Sequence, residues 1–171
     1  MSTNIQTTAR STALDRPSEF EPWKRADWQR LWLASHNTAK PWRSLALVPA
    51  APGAPPELTL HIAVTLAHTG MVHLGAPIHV ADATRLSLGE LVPFSEEIGR
   101  YTAETGGMIL IALPPINDNV TAVSLAQGAD RCLLCVLLGK MSIADSKKTL
   151  AKIGQPRFVG SVVLREGDLP K

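Results

Sequence analysis

SLALVPAAPGAPPELTLHIAVTLAHTG, residues 44–70, decides how the rest of the chain is read. Ser44 to Val48 is a continuous apolar run of strand length, Pro52 and Gly53 make a turn, and Leu58 to His68 predicts a helix. Strand, glycine turn and helix, in that order, form the layout that cradles phosphate. In a working loop of this kind backbone N–H groups close on the phosphates, a lysine neutralises their charge and a hydroxyl holds Mg²⁺. Here the turn continues Ala54, Pro55, Pro56, Glu57. Pro55 and Pro56 remove N–H donors from the cradle. Glu57 places a negative charge where the helix N-terminus would otherwise receive an anion. The layout is that of a phosphate site; the chemistry is missing.

The 171 residues are 45% hydrophobic, enough for one domain with a stable core. Seventeen basic against fifteen acidic residues leave a net charge of +2, too small an excess to argue for nucleic acid. No apolar run approaches the ~18 residues of a membrane-spanning helix. The opening MSTNIQTTARSTALDR is polar and lacks the apolar stretch of a secretory signal. These features lead to expecting a cytoplasmic protein with a disordered tail over residues 1–17, one domain over 18–165 and a short C-terminal tail over 166–171.

Cys132 and Cys135 form a C-x-x-C pair, which can mean redox or metal chemistry. They lie in RCLLCVLL, a strand pattern. Residues three apart on a strand face opposite sides of the sheet, about 10 Å from each other, whereas a disulfide needs Cα atoms within about 7 Å. Buried, inert thiols are expected.

Along the chain, Ser18 to Ala34 predicts a helix with Pro22 in its first turn and Trp28, Leu31 and Trp32 on one face. Further strands are predicted at Pro77–Ala83, Met108–Ala112, Arg131–Leu138 and Phe158–Leu164. Further helices are predicted within Leu86–Thr105 and at Val120–Gln127 and Ile143–Ile153. Strands thus alternate with helices about five times, and they are continuous apolar runs, as in a parallel sheet covered on both faces. The fold class is α/β, doubly wound, with a mainly parallel sheet of about five strands and helices on both faces. Ligands in such sheets bind beyond the carboxyl ends of the strands. That edge carries Pro49 to Glu57, Asp82, Leu113 to Asn119 and Gly139-Lys140.

Residues 113–153, LPPINDNVTAVSLAQGADRCLLCVLLGKMSIADSKKTLAKI, follow without a gap a pattern of D-T-P-P, short helix, A-D, apolar strand, G-K-T-S and helix. Pro114, Pro115, Ala129, Asp130, Gly139, Lys140 and Ser142 match it, and GSVVL at 160–164 fits a closing G-V-V-L-N. EPWKRADWQRLWLA followed by KPWRSLALVPAAPG fits E-A-Y-R-R-L-R-T-N-L and R-P-K-S-L-L-V-T-S-A-x-P-G. In these stretches, over residues 20–165, the chain resembles the cytoplasmic domain of bacterial tyrosine kinases of exopolysaccharide synthesis, a branch of the ParA/MinD-type P-loop ATPases. The span between Asp82 and Met108 is shorter than the resemblance leads one to expect.

The departures concern nucleotide chemistry. Gly53-Ala54-Pro55-Pro56-Glu57 stands in place of G-E-G-K-S/T, so the lysine and the Mg²⁺ hydroxyl are gone. Ala112 occupies the position of the Walker B acid, Asp82 is what remains of a D-x-D, and Arg165 replaces the asparagine that reads adenine in relatives. The tyrosine-rich tail has no counterpart; Tyr101 is the one tyrosine. Lysine and Mg²⁺ carry most of the charge stabilisation in phosphoryl transfer. With them missing, the resemblance implies a non-catalytic, kinase-like adaptor of a polysaccharide synthesis and export machine, without cofactor. Its implied partners are the cytoplasmic part of a membrane co-polymerase, a homologous kinase or a synthase subunit, and not nucleic acid or the bilayer itself. Homo-oligomerisation stays open. The alternatives are an ATPase or kinase in which Lys140, or a residue from a neighbouring subunit, replaces the missing lysine, a synthase accessory subunit, and a MinD-like positioning protein, which the C-terminus REGDLPK does not equip with an amphipathic membrane anchor.

Other residues have two readings. Asp82 is a surviving acid or metal ligand, or a strand-end residue bonded to nearby backbone. His61 and His68 share a helical face but sit about 10.5 Å apart along the axis, too far for one metal ion. His73 and His79 lack a supporting carboxylate spacing, and Asp118 reads as a helix cap or turn residue. Trp23, Lys24, Trp28, Leu31 and Trp32 form either the packing face of the N-terminal helix or a partner surface, where tryptophan serves as an anchor. In the resembling kinases an E-x-x-R-x-x-R helix mediates ring assembly. Glu21, Lys24 and Asp27 stand at that spacing here, so the last charge is reversed.

Overall fold

The computed structural model describes residues 5–6, 21–117 and 119–169. In chain order its strands are β1 (Ile5–Gln6), β2 (Ser44–Pro49), β3 (Ile78–Asp82), β4 (Met108–Ala112), β5 (Arg131–Leu137) and β6 (Phe158–Leu164). Its helices are α1 (Ala26–His36), α2 (Glu57–Leu74), α3 (Leu91–Thr105), α4 (Val120–Gly128) and α5 (Ile143–Ile153). They build one sheet in the order β1-β3-β4-β2-β5-β6. The five strands from β2 onward run parallel, and β1 adds an antiparallel edge through Ile5↔Ala81 and Gln6↔Val80. The fold is α/β and doubly wound, with helices on both faces.

The strand order fixes how the helices are shared out. From β2 the chain crosses over β4 to reach β3, while the connections β3–β4, β4–β5 and β5–β6 all run the other way. Right-handed crossovers therefore place α2 on one face and α3, α4 and α5 on the other. The core divides accordingly. Leu45, Leu47, Leu110 and Leu133 pack with Leu58, Ile62 and Leu66 of α2. Ala46, Val48, Ile109 and Ile111 pack with Phe94, Ile98 and Leu125 of α3 and α4. One crossover helix cannot cover a face that three cover opposite. The space beside α2 is taken by α1, whose Trp28 and Trp32, with Trp42 beyond it, join the α2 core and are at most 5% exposed.

Two predicted boundaries move by several residues. The N-terminal helix begins at Ala26 and not Ser18, since Pro22–Lys24 is a separate 3-10 turn and Arg25 is extended (φ −86°, ψ 128°); residues 18–20 lie outside the described residues. The helix predicted to end at His68 continues to Leu74 and stops at Gly75, whose left-handed φ of 65° caps it. Gly70, inside it, is a point of close approach to Trp32 and Ile78. In the segment expected to be a tail, Ile5–Gln6 pairs with β3; the rest of residues 1–17 lies outside the described residues.

Candidate functional site

β2 is the strand at which the winding reverses, so the carboxyl edge above it is where this fold places a ligand. The connection from β2 into α2 is closed by its own contacts. The Ala50 N–H donates to the Cys135 carbonyl at 2.9 Å, the Ala54 N–H to Ala51 at 3.3 Å and the Leu58 N–H to Pro55 at 3.1 Å. Pro52, Pro55 and Pro56 have no N–H to offer. Ala54 is buried, Pro55 half-buried, and Pro52, Gly53, Pro56 and Glu57 are exposed. Pro56 occupies the N-cap of α2 with no side-chain cap, and Glu57 is the acid of the first turn. Thr59, in the first turn of α2, donates its hydroxyl to the Leu113 carbonyl at 2.8 Å and ties the helix to the end of β4.

The other positions singled out in the sequence spread along the same edge and do not converge. Ala112 is fully buried and pairs with Leu47 on one side and Asp82 on the other. No carboxylate stands there to hold a cation. The Asp82 Oδ1 accepts from the Thr84 N–H at 3.0 Å and the Thr84 hydroxyl at 2.6 Å, a local turn at the strand end. Lys140 is exposed, and its Nζ lies 3.9 Å from Glu166, beyond the end of β6 and away from β2. Arg165 is exposed after β6, and its N–H donates to Asp168 at 2.8 Å. Four strand spacings separate β3 from β6, about 19 Å, so Asp82 and Arg165 cannot serve one small ligand.

On α1, Trp28 and Trp32 are committed to the core, Trp23 and Leu31 are half-buried and Lys24 is exposed and paired with Glu21. Two of the three α2 histidines meet the same region: His61 stands edge-on to Trp28 (centroids 6.3 Å apart) and His68 edge-on to Trp23 (6.2 Å). Burial pushes His61 below the ordinary imidazole value, and it does the same to His79, whose ring lies 4.3 Å from that of Tyr101. Among the described residues no group of three His, Cys, Asp or Glu is placed to hold a metal ion. Asp118 lies outside the described residues; the cap of α4 is Asn119, whose Oδ1 accepts from the Ala122 N–H at 3.0 Å. Asp130, part of the A-D match, sits at the opposite edge of the sheet. Its Oδ2 accepts from the N–H groups of Arg43 (2.8 Å) and Ser44 (3.1 Å), clamping the start of β2 to the start of β5.

Cys132 belongs to the α3–α4 core and Cys135 to the α2 core, on opposite faces of β5. Burial raises both thiols, Cys132 to about 12 and Cys135 further, so neither supplies a thiolate near neutrality.

A cleft that the sequence did not announce lies between the β2–α2 connection and α5. About 300 Å³ in volume, it is bounded by Pro52, by Ile116 and Asn117 after β4, and by Asp145, Lys148, Thr149 and Lys152 of α5. Its signal in the sequence was the i, i+4 lysine pair of ADSKKTLAK, which reads as an ordinary solvated helix face until the fold brings it over β2. No protein-family model and no curated protein matches the chain.

Proposed function

We propose that the protein is a non-catalytic, kinase-like adaptor of a bacterial polysaccharide synthesis and export machine, acting by protein–protein contact. What carries the reading is the β2–α2 connection. It lies where a nucleotide-binding α/β fold holds phosphate, and its prolines, Glu57 and the buried Ala112 leave it no phosphate cradle, no lysine and no acid for Mg²⁺. The resemblance in the order and spacing of residues 113–153 to exopolysaccharide tyrosine kinases supplies the biological setting. Its partner would be the cytoplasmic part of a membrane co-polymerase, a kinase homologue or a synthase subunit. Among the described residues no helix is long and apolar enough to cross a membrane; in this reading the partner recruits the adaptor to the membrane from the cytoplasm.

The competing reading, an ATPase using Lys140, is disfavoured by the turn of that side chain toward Glu166. Thermal unfolding with and without millimolar ATP-Mg²⁺ tests the proposal, because a ligand stabilises only what it binds. An unchanged midpoint is the expected outcome. A saturable rise of several degrees would overturn it.

A further inference from the structure

We infer that the outer surface of α3, α4 and α5 is the contact through which two copies of this chain pair, about a twofold axis parallel to α4. The topology lays that surface out. Each of the three helices joins two parallel strands, so all three start beyond the carboxyl edge of the sheet and run back against it. Strand order sets them side by side on one face, with α4 in the middle and touching both neighbours. Their outward side chains are exposed.

Charge gives the first reason. α3 carries three glutamates against one arginine, α4 carries no charge, and α5 carries three lysines against one aspartate. A surface that is acidic, neutral and basic in that order fits its own copy in one way. Rotation about an axis along α4 sets each α3 over the α5 of the second copy. An axis across the helices would set α3 on α3 and α5 on α5, like charge on like. Glu96 of α3 and Lys147 of α5 are both exposed and both in the second turn of their helices, so the first arrangement brings them together. In the middle α4 offers Ser124 and Gln127, exposed and uncharged. A neutral centre with charged flanks is the anatomy of a protein contact.

Exposed apolar side chains give a second reason, independent of charge. Val92, Val120 and Ile143 stand in the first turns of α3, α4 and α5 and are 63%, 65% and 78% exposed. One such side chain needs no explanation, but these open three neighbouring helices that run the same way, and they form a row across one end of the layer. Rotation about the α4 axis keeps the helix starts together, so the row meets its own copy, with Val120 on Val120. The axis across the helices would lay the row on the polar last turns. Charge and apolar exposure thus select the same axis, and neither depends on the adaptor reading.

Sedimentation velocity of the full chain from about 10 µM to about 1 mM measures the association. A reversible monomer–dimer equilibrium that weakens as salt is raised is the expected result. Val120→Asp places two carboxylates at the axis and should abolish the dimer. Glu96→Lys and Lys147→Glu each enter the contact twice and should each weaken it about tenfold. Their combination should restore it, because each changed residue then faces the other in the second copy. All three positions are exposed, and circular dichroism verifies that every variant is folded. A chain that stays monomeric over the whole range overturns the proposal, whatever other protein that face binds. A dimer indifferent to Val120→Asp, or single reversals that the double variant does not rescue, overturns this surface and this axis.

Discussion

Gly70→Ala should destabilise the protein, although it replaces the poorer helix former by the best one. Gly70 lies inside α2, where alanine is favoured by about 1 kcal/mol on propensity. A Cβ built there lies 2.5 Å from Ile78 Cδ1, 2.6 Å from Trp32 Cη2 and 2.7 Å from Trp32 Cζ3. Carbon atoms in contact prefer about 3.5–4.0 Å, so something has to move by roughly 1 Å. Neither neighbour can swing into solvent, since Trp32 is 1% exposed and Ile78 fully buried. The Trp32 ring is further held by stacking on His36 at 5.1 Å and by the edge of Trp42 at 6.2 Å. Relief requires α1 to lift from α2, and overpacking of this kind costs about 1–3 kcal/mol.

Gly99→Ala supplies the control. Gly99 is an exposed residue inside α3, and a Cβ added there meets nothing within 4 Å. The propensity gain is common to both variants, so their difference isolates the clash. At about 2–4 °C per kcal/mol for a chain of this length, Gly70→Ala should melt roughly 2–12 °C below Gly99→Ala. Thermal and urea unfolding followed by ellipticity measure it, with an unchanged urea slope verifying that the same surface is exposed. If the two variants are stabilised alike, α1 does not press on α2 at Gly70, and the account of why the tryptophans are buried fails.

Two further outcomes follow from burial. In the native protein at about pH 8 neither thiol should react with a chromogenic disulfide reagent until the chain unfolds, because only thiolate attacks and both groups are buried and shifted upward; native-state labelling faster than unfolding would refute this. His61 and His79 are held below their ordinary value of 6.5 by burial, so below about pH 6.5 the unfolded chain takes up protons that the native state refuses. Their contribution to stability is present above that pH and lost as pH falls, and the urea midpoint should drop between about pH 7 and pH 5, less so in His61→Gln; a midpoint with the same slope in both proteins removes His61 as a cause.

Strands β4 and β6 and helix α5 have in the structure the bounds their sequence predicts, because each is a local pattern closed by a local stop: Pro114-Pro115 after Ala112, Gly154 after Ile153. What could not be read locally was set by tertiary contact. Gly70 carries the letter of a helix stop, yet only the position of Trp32, 38 residues earlier in sequence, makes glycine necessary in mid-helix. The Trp face of α1 was ambiguous for a related reason, since its partner face exists only once the crossovers leave that side of the sheet short of helices. The cleft was invisible for the same cause: Pro52, Asn117 and Lys148 are brought together by strand order.

The loop after β2 takes its order from sources other than a bound phosphate. A glycine-rich phosphate cradle is flexible until its ligand closes it, and it leaves helix N–H groups and their positive end for that ligand to satisfy. Here three prolines fix their own φ angles, which lowers the entropy the chain loses on folding. Ala54 and Leu58 are buried, and the Thr59 hydroxyl anchors the first turn of α2 to Leu113. Glu57 offsets the positive helix end from within the chain, a contribution of about 0.3–1 kcal/mol. The contributions that a phosphate would make to the order of such a loop are thus made here by residues of the chain itself.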